Sequence, residues 1–196
     1  MLIITDNKTI DKKPEIIKPQ KELLVFEEGT LTDYYDLSEE KAEYLSEGMI
    51  VMNSPASFQH ETIFCNLLIL LGNYCKKNNM GNVLGSRFTI ILGENRFEPD
   101  IVFISKNNKG NWTEYEFKGI PELVIEIVSK TTHDYDLIKK RNIYKEYKIN
   151  ELWFVDYTNN KVIVDKLTND KYETINYNFK EKVKSSIFPE LEIIIE

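Results

Sequence analysis

This chain has little with which to build a thiolate metal centre or a disulfide frame. Across 196 residues there are two cysteines, Cys65 and Cys75, no CxxC pair, and two histidines, His60 and His133. Both cysteines fall on one expected helix, where ten residues span roughly 15 Å, too far to bond to each other. A zinc site of the cysteine type therefore has little support. Nor is there an uninterrupted apolar run near the roughly 20 residues that a bilayer span needs, so no membrane partner is expected. The opening Met1-Leu2-Ile3-Ile4-Thr5-Asp6 turns acidic too soon for a secretory signal. A cytoplasmic, reducing location is the expectation. The chain also lacks a basic excess: 25 Lys and Arg stand against 32 Asp and Glu, a net charge of −7. That argues against a simple electrostatic binder of nucleic acid. It leaves a nuclease open, because cation-holding carboxylates add to such a deficit while a local patch can still grip phosphates. Lys139, Lys140, Arg141, Lys145 and Lys148 form one candidate patch.

What is present suits a globular protein, with 42% apolar and 29% charged residues and enough length for one well-buried core. Residues 1–20 read as an arm and residues 21–196 as a single domain. No repeat or low-complexity tract appears. A short helix is expected over 32–44 with Thr32 as its cap, then a strand at Met49–Met52. A long helix should start at Ser54-Pro55 or at Ser57. Its buried face would carry Ile63, Phe64, Leu67, Leu68, Leu71 and Tyr74, and Gly81 would end it. Two strands follow, over 83–92 and 97–104, and then a polar loop over 106–118. After the strand at 123–128 come a helix over 134–147, a hairpin around Thr158-Asn159-Asn160, and short strands in the tail. The sum is an α/β (α+β) fold, a mixed sheet flanked by helices.

Two acids break this pattern. Leu123-Val124-Ile125-Glu126-Ile127-Val128 reads as a strand buried on both faces, yet it carries Glu126 at its centre. A carboxylate there must either hold a proton or find positive charge. Asp100, after Pro99, opens the apolar run Ile101-Val102-Phe103-Ile104. Strand alternation puts Val124, Glu126 and Val128 on one face, and Ile125 and Ile127 on the other. On the next helix Leu137, Lys140, Tyr144 and Tyr147 share a stripe, so Lys140 faces inward, with Asp136 one turn before it. Two carboxylates can hold Mg²⁺, which lowers the pKa of a bound water, while a lysine offsets developing charge. That chemistry is suited to phosphodiester hydrolysis. The same spacing also fits a structural Glu126–Lys140 ion pair, and a turn role for Asp100.

The order Pro99-Asp100, then Glu126, then a lysine resembles the PD-(D/E)xK nuclease superfamily. Within it, from about Leu31 onward, the chain is similar to the Uma-two family of restriction-endonuclease-like proteins. The resemblance is carried by Gly48-Met49-Ile50-Val51-Met52, Ser54-Pro55 with His60 following, and Pro99-Asp100-Ile101-Val102. Further on it is carried by Gly119 to Ser129, by Asp136, Lys140 and Tyr144, and by Glu151-Leu152-Trp153-Phe154-Val155-Asp156. It implies a restriction-endonuclease-like αβββαβ core. Asp100 and Glu126 would be metal ligands, the backbone carbonyl of Ile127 a third, and Mg²⁺ the cofactor, with Mn²⁺ able to substitute. Lys140 would stand in for the motif lysine, since Val128 occupies the usual place two residues after the acid. His60 would assist at water or phosphate, and DNA would be the substrate. Cutting both strands of a duplex would favour a homodimer.

The sequence departs from the family where a glutamate often stands four residues before Gly48. Tyr44 is there, with Glu43 and Glu47 nearby, and Glu43 is the candidate to reach the metal. The rival expectation is a nuclease-fold module for binding or assembly without turnover, and RNA is the alternative substrate.

Overall fold

A computed structural model describes residues 23–37, 40–52, 55–85 and 87–196. The expected arm over 1–20, and Ser54 as one of two expected helix starts, lie outside these residues. In chain order the elements begin with β1 (Leu24–Phe26), α1 (Leu31–Asp36), β2 (Ala42–Leu45), β3 (Met49–Met52) and α2 (Phe58–Asn78). Then come β4 (Gly81–Gly85), β5 (Thr89–Leu92), β6 (Asn95–Phe97), β7 (Ile101–Ser105), β8 (Asn111–Trp112), β9 (Glu116–Lys118) and β10 (Leu123–Val128). A π-helical segment, Tyr135–Lys140, runs straight into α3 (Arg141–Glu146). β11 (Glu151–Asp156), β12 (Lys161–Thr168), β13 (Lys171–Asn178), β14 (Lys182–Val183) and β15 (Ile193–Ile194) complete the chain.

The strands make two main sheets and a small one. The central sheet has the order β13-β12-β11-β10-β7-β4, and β10 and β11 are its parallel pair. The second sheet has the order β1-β3-β2-β6-β5-β9-β8, while β14 and β15 pair separately. The helix and strand sequence α2, β4, β7, β10, π/α3, β11 gives the expected αβββαβ order.

Ser57 caps α2 by accepting from the His60 N–H, and Asn79 closes it in the left-handed conformation. Gly81, expected to end that helix, instead opens β4. A side chain there would place Cβ 2.2 Å from the Ile104 carbonyl oxygen, so only glycine lets the two backbones approach. Ile63, Leu67, Leu71 and Cys75 are the buried face of α2. They pack on Ile101, Phe103, Ile125, Ile127 and Trp153 from one side of the central sheet. The opposite side, with Val102, Val124, Val128 and Phe154, packs on Tyr144 and on Leu45, Val51, Ile90 and Phe97 of the second sheet. β10 therefore lies between two apolar layers, which is why its six residues are all buried.

Three local expectations change. The helix expected over 32–44 stops at Asp36, and Thr30 rather than Thr32 caps it through a reciprocal pair with Asp33. Tyr44 belongs to β2. The strands expected over 83–92 and 97–104 are each split between the two sheets: β4 and β7 pair with each other, as do β5 and β6. Alternation cannot tell one long strand from two that part company. Here Pro99, which has no N–H for a ladder, marks one of the breaks. The polar stretch over 106–118 holds the short pair β8 and β9.

Among the described residues no helix is long and apolar enough to cross a membrane. Cys65 and Cys75 are free thiols on α2, one exposed and one buried.

Candidate functional site

The central sheet opens where the two acids stand. β10 pairs with β7 only from Leu123 to Ile125, opposite Phe103 to Ile101. Past that point the strands diverge, and the side chain of Asp100 fills the gap. Its Oδ2 accepts the Ile127 N–H at 2.8 Å and lies 3.2 Å from His60 Nε2, while Oδ1 lies 3.2 Å from Lys41 Nζ. A residue in a strand sends its N–H and C=O out along the same edge. The Ile127 carbonyl therefore leaves toward Asp100, where no strand competes for it. α2 brings His60 to the other side of the same carboxylate.

Glu126 leaves β10 on the opposite face, as its alternation required, and meets the π/α3 segment. Its Oε1 accepts from the Tyr144 hydroxyl at 2.7 Å and lies 3.0 Å from Lys140 Nζ. A π turn is wider than an α turn, and it lets Tyr135, Asp136 and Lys140 all face inward together. Lys140, 3% exposed, is the hub. Its ammonium lies 3.0 Å from Glu43 Oε1, 3.0 Å from Glu126 Oε1 and 3.4 Å from Asp136 Oδ1, and 5.3 Å from the centre of the Tyr135 ring.

Glu43 comes from β2 and is completely buried. Besides Lys140 it accepts the Glu98 N–H at 3.0 Å and the Tyr135 hydroxyl at 2.8 Å. Both of its oxygens are thus engaged, and it holds the lysine. It is Glu43, and not a residue at position 44, that β2 turns inward.

Charge does not balance here. Asp100, Glu126, Glu43 and Asp136 face Lys41 and Lys140, leaving two negative charges before His60 is counted. Burial, unrelieved by the one shared lysine and reinforced by neighbouring acids, pushes Glu126 up to about 8 and Asp136 up to about 6. Burial acts the same way on Asp100. There the His60 hydrogen bond, the Lys41 charge and the Ile127 N–H outweigh it and hold the carboxyl well below the usual range. Burial disfavours a charged His60, but Asp100 outweighs that and raises its pKa. For Lys140, burial is overcome by Glu126 and Glu43, and the ammonium stays charged.

Asp100, His60, Lys41, Ile127, Glu126, Asp136 and Lys140 all line one cavity of about 700 Å³. Among the described residues no three His, Cys, Asp or Glu side chains are arranged to hold a metal. A cation here would therefore draw on two carboxylates and a backbone carbonyl. These are hard oxygen donors of the kind Mg²⁺ takes while keeping several waters, and its charge would favour the ionised form of Glu126.

The sequence-selected residues Asp100, Glu126, Ile127, Lys140 and His60 thus converge on one cleft. Lys41 was missed. Its signal was the Lys41-Ala42-Glu43 alternation, which puts it on the Glu43 face. The candidate basic patch dissolves: Lys139 pairs with Glu47, Arg141 and Lys145 hold the buried Asp165, and Lys148 pairs with Asp170. With Lys140 turned inward, most of the patch is paired with acids, at the surface for Lys139 and Lys148 and on a buried carboxylate for Arg141 and Lys145.

The family model described as "Putative restriction endonuclease", Uma2, matches residues 31–196. The fold is similar to the crystal structure of a putative nuclease of the DUF820 group from Anabaena variabilis. The TM-score is 0.69 at 18% identity, over 84% of this chain and 94% of that one. No curated protein matches the chain.

Proposed function

The chain belongs to the Uma2 family, and from that premise we propose that it is a Mg²⁺-dependent endonuclease that hydrolyses DNA phosphodiester bonds. The observation that carries this reading is the gap between β7 and β10. There Asp100, Glu126 and the Ile127 backbone line one cleft. When bound, Mg²⁺ supplies a water of lowered pKa and charge neutralisation at the phosphate.

The chain's own groups divide the remaining work. Asp100 and Glu126 would fix the cation, and the Ile127 N–H, by tethering Asp100 Oδ2, sets which oxygen is left to face it. Lys140, held at 3.0 Å from both Glu43 and Glu126, keeps its proton and stabilises charge developing on the phosphate. His60, 3.2 Å from Asp100, orients water or phosphate at the α2 side of the cleft. Lys41 is the more exposed of the two lysines and can swing from Asp100 to a phosphate oxygen.

Incubating the protein with plasmid and linear DNA in Mg²⁺ or Mn²⁺ tests the reading. Cleavage is expected, with loss of at least about 100-fold in Asp100→Ala and Glu126→Ala. Folded protein that cuts nothing with either ion would overturn it. A second reading, a nuclease-fold module for binding or assembly without turnover, is favoured by the enclosure of Lys140 among three carboxylates. Calorimetry separates the two, because the inert module has no divalent-cation affinity in the cleft.

A further inference from the structure

A second cavity, of about 670 Å³, adjoins the cleft, and Glu40 and Arg87 line both. Three tyrosines line it, together with Glu40, Glu98, Glu116 and a cation, Arg87. Tyr34 and Tyr35 stand edge to face with ring centres 5.3 Å apart, and Tyr115, 69% exposed, also lines the cavity. The Tyr115 ring is outward although its backbone is fixed, because its carbonyl accepts the Thr89 N–H at 3.2 Å and its N–H donates to the Thr113 hydroxyl.

One buried polar atom in this cavity has no hydrogen-bond partner among the described residues. Glu98 is 7% exposed and lines the wall, yet its Oε2 is buried with no hydrogen bond. Its nearest cation, Arg87 Nε, is 3.9 Å away, beyond hydrogen-bond reach. A buried acceptor left unmatched is uncommon and points to a ligand donor. Glu98 and Asp100 flank Pro99, so one short segment sends an acid into each of two adjoining cavities.

We infer that this cavity receives an unstacked base of the DNA held in the cleft, with Tyr115 and Tyr35 stacking on it and Glu98 Oε2 accepting from its amino group. Aromatic faces take any base, whereas an accepting carboxylate oxygen favours cytosine, adenine and guanine, which offer an exocyclic amino group, over thymine, which offers only its ring N3–H. The inference rests on the nuclease reading for its ligand, but its test does not depend on turnover.

The experiment uses the full chain with mixed-sequence DNA containing 5-iododeoxycytidine. Ca²⁺ replaces Mg²⁺ during irradiation, and adducts are located by mass spectrometry. Mg²⁺-dependent cleavage of the same DNA is measured in parallel. Adducts on Tyr115 or Tyr35 are expected. Loss of one stacking face predicts about tenfold weaker DNA binding in Tyr115→Ala. Glu98→Leu should narrow the preference for this probe over 5-iododeoxyuridine, the thymine analogue, placed in the same DNA. Adducts confined to other residues, or none, overturn the base pocket whatever the cleavage result. Tyrosine adducts without cleavage uphold the pocket and overturn the nuclease reading, and cleavage without tyrosine adducts does the reverse.

Discussion

Replacing Glu126 by glutamine should make the metal-free protein more stable at alkaline pH while abolishing cleavage. Glutamine keeps an acceptor for the Tyr144 hydroxyl and removes one of the buried negative charges that crowd Lys140. The sign follows from the raised pKa. Folded, Glu126 titrates near 8, against 4.5 for an ordinary glutamate. Its stabilising protonated form is fully present below about pH 4.5 and is lost as pH rises through about 8. Across that window the wild type loses about 1.4 kcal/mol per pH unit relative to an amide. Asp136 titrates in the same cluster and shares the proton, so the observed gap should reach a few kcal/mol. Urea denaturation in EDTA at about pH 5 and about pH 8.5 measures it. The gap should open with pH, and Mg²⁺ should close it by stabilising the wild type alone. A glutamine variant that is less stable by the same amount at both pH values would refute the reasoning. It would mean that Lys140 alone keeps Glu126 ionised.

Removing the hub should act the other way. Lys140→Met leaves Glu43, Glu126 and Asp136 without their cation, and a loss of ~3–5 kcal/mol is expected in EDTA, read by denaturation. Asp165→Asn should cost about 2 kcal/mol by loosening Arg141 and Lys145, yet leave cleavage rates unchanged, because this network lies outside the cleft. Gly81→Ala should lower the melting temperature by several degrees through the clash with the Ile104 carbonyl, with cleavage retained once the protein is folded.

The sequence disclosed the site better than it disclosed the sheets. Glu126 was legible because a charge inside a six-residue apolar strand violates the pattern, and Lys140 because it interrupts an apolar stripe one helix later. Both signals are local and periodic. The partition of strands was not legible: Thr89–Leu92 and Ile101–Ser105 are both short, mostly apolar and buried runs, and only long-range pairing puts them in different sheets. Glu43 hinged on the register of β2, where a one-residue shift exchanges it for Tyr44. The π turn at Tyr135–Lys140 also left no periodic mark, since Asp136 and Lys140 share a face in either helix type. The basic patch looked continuous along the chain, but acids distant in sequence, Glu47, Asp165 and Asp170, claim most of it.

The claim beneath all of this is that a divalent cation completes the gap between β7 and β10. A crystal soaked in Mn²⁺ and measured at the manganese absorption edge tests it directly. The account predicts one anomalous peak within about 2.2 Å of an Asp100 oxygen, of Glu126 Oε2 and of the Ile127 carbonyl. A well-ordered cleft with no peak there, or one in which the two carboxyl groups stand too far apart to share an ion, would contradict it.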